Sequence, residues 1–371
     1  IYADESIYEY PMQQGGGNDG RPYSFGRPSS GGSKAAYPCK SYGQGRINPA
    51  YFYGVFDPND MRRDVSITMT GSNGKGVEKL IPFVPNSKAE GGGLTLNKWD
   101  ENRQANPWVA AQRKSGINGP YMRMSEVYLG YAEVCAALGD VVTGKQYLKT
   151  VRERSFPQGL ANTDAFIASF GNDLVRAIIE ERGFEYAGEG DRRWTLIRSG
   201  YLPEDIKRIK DMTKAMMDGL ATKGYYEFEN GNIISAYIWT KLVDAKTIYG
   251  HRLTAQCPTD KVNDPVLYPG WRGQKDNWEG MGLNYGSSTP ATNLAIKGLF
   301  EIVSEEEAAS LESQGYTKVN WGIDLVDNRD EYDKYLFWDY DYVSAPIYLW
   351  PFTPNVMAAG GFTNGYGFKQ E

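Results

Sequence analysis

Residues 178–198, which read IIEERGFEYAGEGDRRWTLIR, place charged side chains where a helix should be apolar. Wound as a helix at about 100° per residue, residues 173–189 put Arg182, Glu185 and Glu189 on the face that also carries the apolar side chains of the first turns. A buried charge is stable only when it is paired and hydrogen-bonded. The segment therefore predicts a helix, a turn and a strand held together by internal Glu–Arg pairs. This predicted Glu–Arg clamp consists of Arg182, Glu185, Glu189, Arg192, Arg193 and Arg198.

Paired carboxylates could also serve acid–base catalysis, as they do in glycoside hydrolysis. Catalysis requires environments that hold the pKa values of two carboxyl groups apart. In this segment each Glu has an Arg close by in sequence, which would keep both carboxylates ionised. A structural role is therefore favoured, no catalytic residue is predicted, and we expect the chain not to be an enzyme.

The composition excludes several other classes of protein. The 371 residues suffice for one large domain or about two smaller ones. A net charge of −6 argues against nucleic acid as a partner, and no apolar run is long enough to suggest a membrane span. The single histidine, His251, excludes a His-rich metal site and argues against a serine-type triad. Because the chain opens with Ile1 and shows no signal-peptide pattern, we expect targeting information to lie upstream.

The cysteines are far apart and lack the CxxC spacing of metal sites. Cys135 lies on an apolar helical stripe and is predicted to be a buried free thiol. Cys39 and Cys257 could form a disulfide, which the sequence alone leaves open.

Two acidic groups could suggest calcium, but neither has the full spacing of an EF-hand. We expect residues 60–64 to form local ion pairs instead. The prediction is therefore no metal and no cofactor, with calcium as the alternative at Asp57, Asp60 and Asp64 or at Asp324, Asp327 and Asp330.

Aromatic residues are abundant, with 27 Tyr, 9 Trp and 14 Phe, and many lie in segments rich in Gly, Pro and Asn. Rings on loops suit flat ligands such as sugars, because a ring face offers contact area at little entropic cost. The alternative, which accounts for most of them, is that large rings pin long loops onto the core.

The periodic segments predict a mainly α fold with large irregular loops and short strands. Residues 1–119 form a loop-rich part with short strands at 65–70 and 80–84, residues 120–223 a helical scaffold, and residues 224–371 a second loop-rich part. Further helices are predicted at 203–220 and 293–312, a hairpin at 225–228 and 233–242 around an Asn-Gly turn, and an extended aromatic end at 347–352.

The clearest helix is predicted at 120–138 and is followed by a second at 143–154. Together they form an αα-hairpin, the unit of helical-repeat scaffolds. The residues of the first helix that we expect to face this interface are Met124, Val127, Tyr128, Tyr131, Val134, Cys135 and Leu138.

Three blocks of the sequence resemble the SusD/RagB family, which are surface nutrient-binding lipoproteins of the Bacteroidetes. Residues 121–139 (YMRMSEVYLGYAEVCAALG) resemble its R-x-x-E…Y-A-E-A helix, and residues 181–198 its E-R-x-x-E…E-G-x-R-x-x-D-L-x-R segment. Residues 346–368 resemble its closing proline-aromatic segment. Thr195 stands where the family commonly has Asp, so one expected ion pair is absent, and TNGYGF is a variant ending.

The resemblance implies a single SusD-like domain over residues 1–371 with tetratricopeptide-like helical hairpins, corresponding to the C-terminal two-thirds of a family member. It implies a non-enzymatic protein on the outer membrane, held by an N-terminal lipid anchor that this chain lacks. Its expected function is to capture glycans or oligopeptides and deliver them to a SusC-like TonB-dependent barrel transporter.

In the family, binding loops commonly lie between the first strand and the following helices. This placement singles out loop residues of which only a couple are expected to contact ligand: Tyr23, Phe25, Arg27, Tyr37, Tyr42 and Trp99.

Two other functions remain open at this point. An aromatic-rich carbohydrate-active enzyme would need a carboxylate pair about 5–10 Å apart across one groove. A helical-repeat scaffold that binds proteins fits a loop-heavy, aromatic-rich chain poorly.

Overall fold

The fold is known from a computed structural model of the chain. It describes residues 5–13, 15, 47–60, 62–72, 78–81, 94–96, 98–99, 116–156, 159–244, 292–327, 329, 341, 343–344, 347–349, 352–361 and 363.

Helices dominate the middle of the described part. A π-helix spans Ala50–Val55, and the α-helices are α1 (Arg62–Ser66), α2 (Met124–Ala137), α3 (Val141–Glu153), α4 (Thr163–Ala168), α5 (Leu174–Glu185), α6 (Arg192–Ser199), α7 (Leu202–Lys223), α8 (Glu305–Ser313), α9 (Gly322–Asp327) and α10 (Pro354–Gly360). None of these helices combines the length and the apolar character that a membrane span needs.

The strands are short and form small antiparallel sheets. They are β1 (Ser6–Tyr10), β2 (Ile67–Thr68), β3 (Thr70–Ser72), β4 (Glu78–Leu80), β5 (Thr95–Leu96), β6 (Gly119–Arg123), β7 (Tyr225–Glu227), β8 (Ile233–Ser235), β9 (Tyr237–Asp244), β10 (Thr292–Lys297) and β11 (Thr317–Asn320). Strand β9 is the centre of a three-stranded sheet between β10 and β11, and the other pairs are β1–β6, β2–β5, β3–β4 and β7–β8.

Helix α5 is the buried centre of the helical part. It begins where the Asp173 carboxylate accepts a hydrogen bond from the backbone N–H of Arg176 (3.0 Å), which satisfies one of the open donors of the first turn. The chain then turns at Gly188, whose φ of +78° lies in the left-handed region. Along α5 every side chain except those of Val175 and Arg176 is buried, because neighbouring helices cover it on most sides.

The apolar core fills two places beside α5. On one side, α2, α3 and α5 enclose Leu129, Leu148, Val151 and Ile178. On the other, rings of the π-helix meet Phe184 and the apolar faces of α7 and β9, as in the tilted contact of Phe56 with Phe184 (ring centroids 4.4 Å apart). Helix α5 therefore carries apolar contacts to both parts of the core.

The helical hairpin is confirmed, with its helices at α2 and α3, and so are the long helix α7 and the β7–β8 hairpin around Asn230-Gly231. The predicted helix at 120–138 begins only at Met124, because residues 119–123 pair with β1 as strand β6. The boundaries at 119/120 and 223/224 stay predictions.

Other predicted elements were wrong. The strand expected after the clamp is helix α6, and the strand expected at 65–70 begins inside α1. The helix expected at 293–312 is strand β10, then Gly298 with a φ of +80°, then α8, which starts at a Ser304–Glu307 capping box. Residues 292–297 form a strand because they pair with β9 along one edge of the sheet. Of the strand predicted at 80–84, residues 82–84 lie outside the described residues, and residues 347–349 adopt no strand.

The buried face of α2 is only partly the predicted one. Leu129, Ala132 and Cys135 are buried, whereas the expected interface residues Val127, Tyr131, Val134 and Leu138 are exposed, the last at 81%. The reason is the small-residue side of α2: a Cβ added to Gly144 of α3 would lie 3.0 Å from the Ala132 carbonyl oxygen. Small residues let the two helices approach closely. Tyr128 and Tyr131 still contact the Tyr147 ring of α3 (centroids 5.6 and 5.0 Å apart), whereas Val127, Val134 and Leu138 lie outside this contact.

Candidate functional site

The predicted Glu–Arg clamp is a network of buried charges centred on α5. Four of its carboxylates, those of Glu180, Glu181, Glu185 and the following Glu189, have side chains at most 9% exposed. Each of them has at least one guanidinium or ammonium group within ion-pair distance, as burial of a charge requires.

Glu185 lies at the centre of this network. Its carboxylate pairs with Arg123, with Arg62 (2.9 Å) and with Arg154 (2.6 Å). Burial alone would raise the pKa of Glu185, but the arginines outweigh it and hold this pKa well below its usual range. The neighbouring Glu189 accepts from Arg123 (2.8 Å) and from Lys98, which together hold the pKa of Glu189 low against the effect of burial.

A second group of charges joins α5 to α7. The Glu180 carboxylate pairs with Arg192 (2.8 Å) and Arg208 (3.3 Å), and both arginines also pair with Asp205. Burial would raise the pKa of Asp205, but these two arginines hold it below its ordinary value. Both carboxylates of the group are thus paired with the same two arginines.

The predicted internal Glu–Arg pairing is confirmed for Glu180 and Arg192 (2.8 Å), but the expected pairing of Glu185 and Glu189 with the arginines of residues 182–198 was wrong. Arg182 pairs with Asp191 (2.5 Å), Arg198 pairs with Glu133, and Arg193 donates to the backbone oxygen of Ile347 (2.7 Å). The partners of the two glutamates come instead from distant segments, at Arg62, Lys98, Arg123 and Arg154.

Thr195, where an ion pair was expected to be missing, takes part in the network through its hydroxyl group. This hydroxyl accepts from the Arg182 Nε–H (3.1 Å) and donates to the Asp191 carboxylate (2.7 Å). A hydroxyl here bridges the two charged groups, which pair directly with each other.

The chemistry of the clamp fits a structural role better than acid catalysis. General acid catalysis needs a carboxyl group that can hold a proton near the working pH. The carboxylates of Glu185, Glu189 and Asp205 have lowered pKa values instead. The clamp is therefore a poor proton donor and a strong link between chain segments.

The loop residues proposed from the sequence meet different outcomes. The side chain of Trp99 is 1% exposed, and its Nε1–H donates to the Gly188 backbone oxygen (3.4 Å). The ring is therefore buried in the core and does not offer a surface to a ligand. The other candidates lie outside the described residues: Tyr23, Phe25, Arg27, Tyr37 and Tyr42.

Cys135 is buried and free, as predicted. Cys39 and Cys257, the possible disulfide partners, lie outside the described residues. Asp60 is buried against Arg62 (2.6 Å), which confirms the expected local ion pair there.

The calcium alternative finds no cluster in the described chain. Among these residues, no group of three or more His, Cys, Asp or Glu side chains could hold a metal ion. Asp330 and the side chains of Asp64 and Asp324 lie outside what is described, so calcium there stays an untested alternative.

A cleft of about 960 Å³ opens between α4 and α7, and we call it the α4–α7 cleft. One wall is formed by α4 and the residues at its two ends, namely Asn162, Phe166, Ser169 and Phe170. The facing wall belongs to α7, and the remainder to the π-helix and the β7–β8 turn. Its other lining residues include Asp57, Arg152, Arg176, Phe184, Glu204, Arg208, Asp211, Met212, Ala215, Tyr226, Phe228, Glu229, Asn230 and Asn232.

Rings and arginines are packed together in this cleft. The Arg152 guanidinium lies over the Phe166 ring (3.8 Å to the centroid), and Phe170 meets the same ring edge-to-face (5.2 Å between centroids). Such a combination of half-buried rings and planar polar groups is typical of small-ligand sites.

Asparagines fix the end of the cleft that the π-helix forms. The Asn230 side-chain amide donates to the Gly54 backbone oxygen (2.6 Å), and that of Asn232 donates to the backbone oxygens of Gly54 (3.0 Å) and Phe56 (2.8 Å). Carbonyl groups at a helix C-terminus lack partners within the helix, and these amides supply them. Sequence reasoning placed these asparagines in a turn only, because their partners lie more than 170 positions away.

Comparison with known proteins gives one family. The model of the SusD family matches residues 2–286. SusD-like protein P25 of Formosa agariphila is 28% identical over 160 residues, which are 43% of this chain and 26% of that protein.

Solved structures align more loosely. A SusD homologue of Bacteroides thetaiotaomicron aligns at 19% identity and a TM-score of 0.37, over 58% of this chain and 44% of that one. Surface glycan-binding protein A of the same organism, solved with laminarihexaose, aligns at 18% identity and a TM-score of 0.36, over 54% and 44%.

The chain spans less than half the length of these relatives. The family model nevertheless matches most of the chain, including the clamp and the helical hairpin. The chain therefore belongs to the SusD family.

Proposed function

We propose that this chain is the binding part of a cell-surface protein that captures nutrient glycans, or oligopeptides, and delivers them to a SusC-like TonB-dependent barrel. The proposed location is the outer face of the outer membrane, with a lipid anchor upstream of this chain. The observation that carries the proposal is the match of the SusD family model to residues 2–286.

Two features of the described chain support binding over catalysis. The carboxylates of α5 and of Glu189 just after it form ion pairs with arginines and with Lys98, whereas the open α4–α7 cleft offers rings and polar groups. The loop residues Tyr23, Phe25, Arg27, Tyr37 and Tyr42 remain candidate contacts beyond this cleft.

The test is retention without turnover. Native affinity electrophoresis through gels that contain soluble polysaccharides should show slowed migration for at least one of them, and the recovered saccharide should keep its length by chromatography. Shortened products would favour the carbohydrate-active enzyme instead. No retention on glycans, with retention by a panel of oligopeptides, would assign the peptide branch of the proposal.

Delivery is tested separately, with a partner as the readout. The chain, fused to an affinity tag, should recover a barrel of the TonB-dependent class from solubilised outer membranes. The variant Glu185→Gln, which disturbs the clamp, should recover less barrel if the folded scaffold is what docks, and Glu133→Gln, which removes a more exposed ion pair, is its matched control. Recovery of soluble proteins without any barrel would favour the helical protein-binding scaffold.

A further inference from the structure

We propose that the α4–α7 cleft binds a short stretch of an uncharged, hydroxyl-rich oligosaccharide. This inference rests on the proposed function and adds to it a place and a ligand class. The volume of the cleft, about 960 Å³, lies at the upper end of the range for small-ligand pockets, which is about 300 to 1,000 Å³. The cleft therefore has room for more than one sugar ring.

The walls of the cleft offer apolar ring surface on both sides. Phe166 and Phe170 of the α4 wall and Tyr226 of the opposite wall are all half-buried, so that part of each ring remains accessible. Sugar rings carry C–H faces that pack on aromatic surface, and a ring gives this area at little entropic cost.

The polar groups of the cleft include both donors and acceptors. Asp211 and Glu204 of α7 are exposed carboxylates that accept hydrogen bonds, while Arg208 and the Asn162 amide can donate them. A sugar hydroxyl donates one hydrogen bond and accepts others, so a mixed set of this kind matches it. An aliphatic or purely aromatic ligand would leave these groups without partners.

The charge of the cleft points away from an anionic ligand. Arg152 and Arg208 are already paired with the buried Glu181 and Glu180, so their charges are compensated from inside. By contrast, no described residue forms an ion pair with Glu204 at the mouth of the cleft. A uronate or sulfate group would therefore meet uncompensated negative charge, which disfavours it.

Two arginines of the cleft wall keep an unused donor. The Arg152 Nε–H and the Nη1 amino group of Arg176 are buried and have no hydrogen-bond partner in the described part of the chain. A buried donor without a partner is unfavourable. After a small adjustment of the two arginine side chains, hydroxyl groups of a bound oligosaccharide would accept hydrogen bonds from both. Because a hydroxyl group is neutral, no charge on the ligand has to be desolvated.

The cleft is tested by a matched pair of variants on α7. Asp211 and Asp218 are similarly exposed (61% and 63%), and each pairs with one cation, Lys207 and Arg329 respectively, but only Asp211 lines the cleft. Titration calorimetry would use laminarihexaose, maltohexaose and mannohexaose as uncharged probes and hexagalacturonate as the charged one. We expect Asp211→Asn to weaken binding of the best uncharged probe about tenfold, as the loss of one charge-assisted hydrogen bond would, and Asp218→Asn to leave it unchanged.

A second readout locates the ligand without any substitution. In the whole chain with ¹³C-labelled methionine methyl groups, the signal of Met212, which lines the cleft, should shift on addition of the bound probe. The signal of Met122 on β6, which lies outside the cleft, should stay in place.

The outcomes separate this inference from the proposed function. Binding of an uncharged glycan with no effect of Asp211→Asn and no Met212 shift would overturn the cleft as the site, while the capture of glycans would stand. Preferred binding of hexagalacturonate would overturn the ligand class. Failure of every saccharide to bind would overturn both the inference and the glycan branch of the proposed function.

Discussion

At the scale of single residues, Glu185 lies at the centre of the buried ion pairs. Three arginines from three segments, Arg62, Arg123 and Arg154, surround one buried carboxylate. Forming a buried ion pair returns little net stability, but removing one partner strands the other charges in a poorly solvated place. The main effect of losing the Glu185 carboxylate would therefore be to leave buried arginines without a counter-charge.

We predict that Glu185→Gln lowers the free energy of unfolding by about 3–5 kcal/mol, because it leaves buried arginines without their counter-charge. The measurement is urea unfolding at pH 7, followed by circular dichroism.

Glu133→Gln is the matched control for this substitution. It removes a carboxylate whose partner Arg198 is 52% exposed, and should cost at most about 1 kcal/mol, the range of surface ion pairs. Equal losses for the two variants would show that burial of the network does not set its energetic weight.

At the scale of elements, glycines within helices show where a helix packs closely against a neighbouring element. Gly219 of α7 faces the β7–β8 hairpin, and a Cβ added there would lie 2.7 Å from Tyr226 Cδ2 and 3.0 Å from the Tyr225 backbone oxygen. Gly130 of α2, by contrast, has no atom within 4 Å of such a Cβ. Gly219 is needed for the close packing of α7 on the hairpin, whereas Gly130 has free space beside it.

The two glycines are predicted to respond with opposite sign to substitution by Ala. Gly130→Ala should raise the free energy of unfolding by about 0.5–1 kcal/mol through helix propensity alone. Gly219→Ala should lower it by about 1–3 kcal/mol, because the hairpin must move to avoid overpacking. Thermal or urea unfolding measures both, and stabilisation by Gly219→Ala would contradict the close contact of α7 with the hairpin.

At the scale of the whole molecule, the charge network joins parts of the chain that are far apart in sequence. From the N-terminal part, Arg62 pairs with glutamates of α5 and Lys98 pairs with Glu189 just after it, and Arg123 of strand β6 pairs with Glu185. Because α5 also carries apolar contacts to both parts of the core, loss of its charges should loosen the fold as a unit.

The pH dependence of stability follows from the same network. The pKa of Glu185 is lower in the folded chain than in the unfolded one, and those of Glu189 and Asp205 are lowered as well. The unfolded chain therefore binds protons first as the pH falls. The stabilisation is present in full above about pH 5 and is lost progressively as the pH falls through about 4.3, the ordinary value for Glu, towards the folded values.

We predict that the urea midpoint of unfolding decreases steadily from pH 5 to pH 3. The decrease should be smaller in Glu185→Gln, which has lost one of the carboxylates whose pKa is lowered in the folded chain. A midpoint that is flat over this range in the parent chain would show that the carboxylates are not held ionised by their arginines.

Much of the scaffold could be predicted from local signals. Helical periodicity located α3 and α7, the Asn230-Gly231 turn located the β7–β8 hairpin, and the charges on α5 indicated a buried ion-pair network. The motif blocks indicated the family, which the family model confirms. These features depend on residues within a few turns of one another, so their spacing in the sequence is enough.

Other features depended on the tertiary structure because their partners are remote. The stripe on α2 was only partly right: Tyr128, Tyr131 and Cys135 face α3 or the core, but Val127, Val134 and Leu138 do not, since close approach at Gly144 favours the side of small residues. Residues 292–297 became a strand because β9 offered a free edge. Periodicity gives a face or a propensity, but does not say which neighbour covers it.

The sequence by itself therefore determined the family, the main helices and the need to pair the charges of α5. Only the tertiary structure decided which cations meet those charges and which residues share the α4–α7 cleft. The physical reason is range: helix propensity and turn chemistry act over a few residues, whereas ion pairs such as Arg62–Glu185 and cleft neighbours such as Phe166 and Tyr226 form only when the packed core brings distant segments together.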